Sequence, residues 1–259
     1  MNIEITSQNG INLRGYLEGP KAALEDGESC SLIILMHGLM DSGEFGLIRK
    51  QADIYKSAGY AVLAVDFDGH GRSDGRLIDM TISREIEDAE AILAYARDLP
   101  FLSDITLIGH SQGGAVAAAI AARHSEDIDR LVLLAPGGMI ADKLRAGMCF
   151  GTTFDPADPP ERVVIFDDYI GRDYIVDAMA LDLYAMAKGY QNRPVLLVAG
   201  REDPLVPEEV VERYREIYAA ADAGNAVTLR TIEGAPHDFR EHEAEVAELV
   251  LAFARENRA

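Results

Sequence analysis

Near the middle of the chain the sequence runs Ile105-Thr106-Leu107-Ile108-Gly109-His110-Ser111-Gln112-Gly113-Gly114. Its first four residues are typical of a buried strand, and the Ala-rich segment 115–123 favours a helix. Gly109 and Gly113 stand two residues before and two residues after Ser111, as a very tight strand-to-helix turn requires. Such a turn presents a hydroxyl above the sheet at the positive end of a helix. We therefore predict that Ser111 is a nucleophile.

Buried strands and amphipathic helices alternate on both sides of this turn. Asn9-Gly10 predicts an N-terminal β-hairpin. Apolar runs predict buried strands at 31–36, 61–65, 105–108, 131–134 and 195–198, with a last strand at 227–232. Apolar residues at helical spacing predict helices at 82–96, 207–217 and 241–256. The alternation predicts an α/β fold with a mostly parallel central sheet and helices on both faces.

One segment interrupts this alternation. Residues 137–192 contain no clear buried strand but do contain an aromatic-rich, helical part around 169–184. About 50 residues between two core strands is too long for an ordinary loop. We predict that 137–192 is an inserted cap over the carboxyl ends of the strands, and that 1–136 and 193–259 form the core.

A serine nucleophile needs a general base, which should come late in a chain of this organisation. Of the six histidines, only His237 and His242 follow the later strands. His242 falls in the charged start of the last predicted helix, whereas His237 lies in a loop directly after the last strand. The sequence therefore predicts His237 as the base.

The base needs an acid to orient it, and the acid should follow the strand at 195–198. Glu202 and Asp203 both stand there. Asp203 is preferred because the turn after Gly200 places its carboxylate toward the histidine. The alternative is that both acids only cap the helix that begins near Pro207.

The reaction also needs two N–H groups that stabilise the oxyanion. One is predicted to come from Gln112, which follows the nucleophile. The other is predicted to come from Leu39, in the turn His37-Gly38-Leu39-Met40 after the strand at 31–36. His37 shapes that turn and is predicted to be structural.

The composition narrows the kind of protein further. A net charge of −20 over 259 residues argues against nucleic acid and against anionic membranes as partners. Two cysteines do not form a disulfide framework, and no run approaches the ~20 apolar residues of a membrane span. The start of the chain is polar. We predict a cytoplasmic protein with a small-molecule substrate and no metal or cofactor, and leave the oligomeric state open, with a homodimer as one option.

The chain resembles α/β-hydrolases of the carboxylesterase type, and more narrowly the bacterial cinnamoyl and feruloyl esterases. The resemblance spans nearly the whole chain, through the motifs His37-Gly38, Asp66-Phe67-Asp68-Gly69-His70-Gly71-Arg72-Ser73, Gly109-His110-Ser111-Gln112-Gly113-Gly114, Gly200-Arg201-Glu202-Asp203 and Gly234-Ala235-Pro236-His237. It implies an α/β-hydrolase fold with an inserted cap.

The resemblance also implies a substrate and a set of contacts for it. Members of that family hydrolyse esters of ferulic, caffeic and coumaric acids, and their cap offers polar groups to the phenolic ring. By position, Tyr174 corresponds to a cap tyrosine that contacts the ring hydroxyl, with packing inside the cap as the alternative, and Asp142 or Lys143 lies near a cap aspartate. Phe150 stands where a polar residue is expected, which departs from the family pattern.

Other functions remain open on the same residues. Ser111 is incompatible with a haloalkane dehalogenase, which needs aspartate there, and with a dienelactone hydrolase, which needs cysteine. Charged residues at 167, 168, 172 and 173 of the cap favour short or aromatic acyl groups over long chains. The alternatives are a general short-chain esterase, a monoacylglycerol lipase, a thioesterase or a peptidase, and, outside enzymes, a silent binding module.

Overall fold

The fold is built around strands whose apolar runs are buried, and a computed structural model describes residues 1–221 and 226–257. The strands are β1 (Asn2–Thr6), β2 (Asn12–Glu18), β3 (Cys30–Met36), β4 (Ala61–Val65), β5 (Leu102–His110), β6 (Arg130–Leu134), β7 (Met148–Cys149), β8 (Thr152–Thr153), β9 (Arg162–Ile165), β10 (Asp168–Gly171), β11 (Val195–Gly200) and β12 (Val227–Ile232).

The helices follow the same chain order. They are α1 (Lys21–Asp26), α2 (Gly46–Ser57), α3 (Ile82–Arg97), α4 (Ser111–Arg123), α5 (Ile140–Arg145), α6 (Arg172–Ala180), α7 (Leu183–Met186), α8 (Glu208–Ala221) and α9 (Glu243–Glu256), with a single 3-10 turn at Leu77–Asp79 within the described ranges.

Eight strands form the central sheet in the order β1-β2-β4-β3-β5-β6-β11-β12. Within this sheet, β2 pairs antiparallel with β1 and with β4. All other neighbouring strands of the sheet pair parallel. Every residue of β4, β6 and β11 is buried, as continuous apolar runs predict for strands covered on both faces. The predicted α/β-hydrolase fold, with its mostly parallel sheet, is confirmed.

The predicted elements are present, and two helices of the core were not predicted. α2 buries Leu47, Ile48 and Tyr55 at helical spacing, but the polar Gln51 stands within this stripe. Gln51 is itself buried, and its amide donates a hydrogen bond to the carbonyl of Glu243, 2.5 Å away, at the start of α9. The other unpredicted helix, α1, has only six residues.

The segment between β6 and β11 contains small elements only. β7 pairs with β8 and β9 with β10, each pair antiparallel, beside α5, α6 and α7. The predicted helical part around 169–184 was wrong at its start, because residues 168–171 pair with 162–165 and the helix begins at Arg172. The limits of the cap, 137–192, stay a prediction, and the predicted core includes 222–225 and 258–259, which lie outside the described residues.

Over the described ranges, the structure has no helix that is both long enough and apolar enough to cross a membrane.

Candidate active site

Ser111 stands at the junction of β5 and α4 in a strained backbone conformation. Its φ is 53°, in the left-handed region that a side-chain-bearing residue rarely adopts. A Cβ on Gly109 would lie 2.3 Å from the carbonyl oxygen of Gly113, and a Cβ on Gly113 would lie 2.2 Å from that of His37. Both glycines are therefore required by the close approach of the turn to its neighbours, as the sequence predicts.

The structure brings Ser111, His237 and Asp203 together from three separate segments. The Ser111 hydroxyl lies 2.9 Å from Nε2 of His237, and Nδ1 of His237 lies 2.7 Å from Oδ2 of Asp203. His237 follows β12, and Asp203 follows β11. The carboxyl ends of these parallel strands place all three groups at one edge of the sheet. This arrangement can take the proton of a serine hydroxyl and stabilise the imidazolium that forms.

Asp203 is held as an anion inside the protein. Its carboxylate is fully buried, and Oδ1 accepts hydrogen bonds from the N–H groups of Leu205 and Val206, at 2.8 and 2.9 Å. Burial acts to raise the pKa of Asp203, but the hydrogen bond and charge of His237 and those two N–H groups together hold it below its usual value. Glu202, the rejected alternative, is exposed.

A second histidine supports the first. Nε2 of His110 donates a hydrogen bond to the carbonyl oxygen of His237, 2.9 Å away, and the two rings lie 4.9 Å apart. Burial lowers the pKa of His110 to about 4, so its ring is neutral near pH 7. This contact of His110 was not predicted from the sequence, although His110 stands next to Ser111.

The loop after β3 lies beside the nucleophile. A Cβ on Gly38 would be 3.1 Å from the Cβ of Ser111, and Met40 has φ of 62°. His37 is buried within this turn: its Nδ1 donates to the carbonyl of Gly38, and its Nε2 accepts from the N–H of Phe67. Burial lowers the pKa of His37 to about 4, which agrees with a neutral, structural histidine.

The two predicted oxyanion donors lie close to this junction. Leu39 and Gln112 line the same cavity as Ser111. Gln112 belongs to the first turn of α4, where backbone N–H groups have no acceptor within the helix. Their role as donors stays a prediction.

The side chain of Gln112 connects to two buried residues. Its Oε1 accepts a hydrogen bond from the Tyr174 hydroxyl at 2.7 Å, and its Nε2 donates to Oε2 of Glu85 at 2.8 Å. Glu85 was not predicted as a site residue, although it falls between Ile82 and Ile86 on the apolar face of α3. The Tyr174 hydroxyl therefore already donates to Gln112, and its predicted contact with a substrate ring stays a prediction.

Two cavities that share lining residues lie beside Ser111 and the predicted cap, with volumes of about 220 and 550 Å³. Ser111 and His237 line the smaller cavity, and Tyr174 lines the larger one. Both are lined by Met139, Ile140, Phe150, Phe166 and Leu205. The space next to the nucleophile is therefore mostly apolar.

Of the other predicted substrate-binding residues, Phe150 lines the cavities and Asp142 does not. Phe150 lines both cavities and lies 6.4 Å from Phe166, ring to ring. Asp142 lines neither cavity, since its carboxylate faces outward and pairs with Arg145 at 3.0 Å and Arg213 at 3.4 Å. Its neighbour Lys143 lines the larger cavity. In the part of the chain that the structure covers, no cluster of three or more His, Cys, Asp or Glu side chains is arranged to hold a metal ion.

Comparisons with known proteins show similarity to a family, to a curated relative and to a solved structure. Residues 27–154 match the family described as serine aminopeptidase, S33. The chain is 33% identical over 208 residues to the monoacylglycerol lipase of Mycolicibacterium smegmatis, covering 70% of this chain and 73% of that protein. It is 32% identical to Est1E from Butyrivibrio proteoclasticus, solved with ferulic acid bound, with a TM-score of 0.89 and 98% of each chain covered.

Proposed function

The chain belongs to the α/β-hydrolase superfamily, and on that premise we propose that it is a serine carboxylesterase that works through an acyl-enzyme on Ser111. Its similarity to a lipase and to a ferulate-binding protein supports a hydrolase that acts on esters. The observation that carries the serine mechanism is the chain of hydrogen bonds from Ser111 through His237 to Asp203, at 2.9 and 2.7 Å.

Acylation begins when His237 takes the hydroxyl proton and Ser111 Oγ attacks the ester carbonyl carbon. The carbonyl oxygen gains negative charge, which the N–H groups of Leu39 and Gln112 stabilise. Asp203 stabilises the imidazolium of His237. The imidazolium then gives its proton to the departing alcohol, and the acyl group stays on Ser111.

Deacylation repeats these steps with water. His237 takes a proton from water, and the resulting hydroxide attacks the acyl-enzyme carbonyl. His237 then returns the proton to Ser111 Oγ as the carboxylic acid leaves. The ring needs a fixed tautomer with the proton on Nδ1, and Asp203 provides it.

The substrate we propose has a small or aromatic acyl group, hydroxycinnamoyl esters included. The apolar cavity beneath the cap supports this, since Ile140, Phe150 and Phe166 offer flat and branched surfaces to such a group. The ferulic acid bound to Est1E supports an aromatic acyl group.

Monoacylglycerol hydrolysis is the second candidate. The Mycolicibacterium smegmatis relative favours it, as does the larger cavity, whose ~550 Å³ accommodates a medium-length alkyl chain. A medium-length alkyl chain and an aromatic acyl group would contact the same apolar residues, so a comparison of substrates is needed to separate these candidates.

The experiment is a turnover panel combined with covalent labelling. The wild-type protein and the Ser111→Ala variant are assayed with p-nitrophenyl esters of increasing chain length, methyl ferulate, a monoacylglycerol, a thioester and an anilide. We expect one fluorophosphonate label per wild-type chain, none on the variant, and ester turnover reduced at least about 10³-fold. Near-native turnover by Ser111→Ala would refute the serine mechanism, and an unlabelled, folded, inactive wild type would favour a binding module.

A further inference from the structure

The side chain of Gln112 is held at both ends inside the protein. Its amide oxygen accepts from Tyr174 at 2.7 Å, and its amide nitrogen donates to Glu85 at 2.8 Å. Tyr174 is 0% exposed, and Glu85 and Gln112 are each 1% exposed. A hydrogen bond shielded from water in this way is stronger than an exposed one, and losing either partner leaves a buried polar group unpaired.

The three residues come from three different helices. Glu85 lies on α3 and Gln112 in the first turn of α4, both in the core, while Tyr174 lies on α6 in the cap. A second hydrogen bond also holds α6 against the core. The carboxylate of Asp177 accepts it from the N–H of Ser83, at the start of α3, over 3.0 Å. Tyr174 and Asp177 thus tie one cap helix to both core helices.

The position of Gln112 matters because of its backbone. Its N–H is a predicted oxyanion donor, and such a donor must be aimed to within a few tenths of an ångström. The adjacent residue, Ser111, has φ of 53°, so this turn is strained. A strained turn keeps its geometry only where the surrounding contacts fix it.

We propose that Glu85 and Tyr174 are positioning residues that hold Gln112 so that its backbone N–H points at the oxyanion, which makes full activity depend on docking of the cap helix α6. This inference rests on the proposed serine esterase function. It assigns the Tyr174 hydroxyl to the catalytic machinery of the core, instead of to recognition of a substrate ring.

The charge state of Glu85 suits this role. Burial raises the pKa of Glu85 to about 8, so that the carboxyl is mostly neutral at pH 7 and places no full negative charge beneath a developing oxyanion. The titratable groups that face it are His70 at 4.0 Å, Asp68, Asp88 and Asp177, with Tyr174 beyond Gln112.

The first test compares Tyr174→Phe with Tyr190→Phe. Both changes delete a buried hydroxyl that donates a hydrogen bond, from Tyr174 to Gln112 and from Tyr190 to the carbonyl of Ile128 at 3.1 Å. We expect Tyr174→Phe to lower kcat about tenfold on both p-nitrophenyl butyrate and methyl ferulate, with KM changed less than about twofold. Tyr190→Phe should keep kcat within about twofold of the wild-type value.

The second test uses Glu85. Glu85→Gln keeps an oxygen that accepts from Gln112, whereas Glu85→Leu removes it at similar volume. We expect Glu85→Gln to retain at least a third of the wild-type kcat and Glu85→Leu to lose about tenfold or more, again with little change in KM. If Glu85→Leu fails to fold, the comparison of Tyr174→Phe with Tyr190→Phe still tests whether kcat depends on the hydrogen bond to Gln112.

Two outcomes would overturn the inference. One is a loss in Tyr174→Phe that is confined to methyl ferulate and lies in KM, which would mean that the hydroxyl contacts the substrate ring. The other is an unchanged kcat in Tyr174→Phe on both esters. Failure of the proposed function would be recognised by other measurements. Ser111→Ala would then retain turnover, or the wild type would not be labelled by a fluorophosphonate.

Discussion

The hydrogen bond between Asp203 and His237 sets which nitrogen of the imidazole carries a proton. A carboxylate only accepts, so it keeps the proton on Nδ1 and leaves Nε2 free to take the proton of Ser111. An amide at position 203 can keep its oxygen on the N–H groups of Leu205 and Val206, and its NH2 would then face Nδ1. The ring would adopt the opposite tautomer.

From this we predict that Asp203→Asn lowers kcat/KM by about 10³ to 10⁴ at pH 7, with a Tm close to that of the wild type. Steady-state assays with p-nitrophenyl acetate measure the loss. Glu202→Gln is the matched control, because Glu202 is the exposed neighbour, and it should stay within about twofold of wild type. A large loss in Glu202→Gln with none in Asp203→Asn would reverse the assignment.

Glu85 connects the site to stability as well as to rate. The folded protein raises the pKa of this carboxyl to about 8, against an ordinary value of 4.5 when unfolded, because burial disfavours its charged form. The proton on Glu85 therefore contributes its full share to the free energy of unfolding below pH 4.5. This contribution is lost as the pH rises toward 8. Glutamine at this position does not ionise.

The expected result is that the Tm of Glu85→Gln minus that of the wild type increases from about pH 5 to about pH 8 and levels off above that. Thermal unfolding of both proteins across this range measures it. Glu248→Gln, at an exposed residue of α9, is measured in parallel as the control for removing a carboxylate that is not buried. A constant difference for Glu85→Gln would show that the folded carboxyl keeps an ordinary pKa.

The local sequence pattern predicted a strand or helix correctly where the buried side chains of that element are all apolar. The run Leu32–Met36 is wholly buried, and its apolar character alone predicts a strand. The contacts of Glu85 and Tyr174 could not be predicted in the same way. Glu85 lies on the apolar face of α3, but its partner on α4 is 27 residues away in sequence, and the cap helix that carries Tyr174 is placed by tertiary packing.

We propose that residues of the predicted cap, 137–192, supply most of the contacts to an aromatic acyl group. The predicted polar contacts for a phenol are largely engaged elsewhere, since the Tyr174 hydroxyl bonds to Gln112 and the Asp142 carboxylate pairs with two arginines outside the cavities. Lys143, Thr152 and Thr153 are polar residues that line the larger cavity. Apolar contact with Phe150 and its neighbours should therefore supply most of the binding energy.

We therefore predict that methyl cinnamate and methyl ferulate differ by less than about threefold in kcat/KM. A site built to hydrogen-bond a hydroxyl would reject the analogue that lacks it far more strongly. Phe150→Ala should lower kcat/KM for both esters by about tenfold, while the exposed Phe45→Ala should change neither. A preference for ferulate above about tenfold would contradict this and would point to the threonines, which Thr152→Val and Thr153→Val would test.

The charge of the whole molecule bears on which esters can approach. The chain carries a net charge of −20, and two carboxylates, Asp41 and Asp238, line the cavity that contains Ser111. Burial raises the pKa of Asp41 to about 6, so this group is mostly ionised at pH 8. An ester with an anionic leaving group must therefore enter a site that already has negative charge around it.

Long-range repulsion of this kind depends on ionic strength. At pH 8 and 0.01 M salt, where charges interact over about 30 Å, we expect kcat/KM for a neutral alkyl ester to exceed that for the same acyl group on a carboxylate-bearing alcohol by at least about tenfold. At about 0.5 M salt the ratio should fall severalfold, because screening removes the repulsion from distant charges and leaves that of Asp41 and Asp238. Asp238→Asn should reduce the ratio that remains at high salt. Equal rates at low salt would show that the negative charge of the molecule does not act on substrate entry.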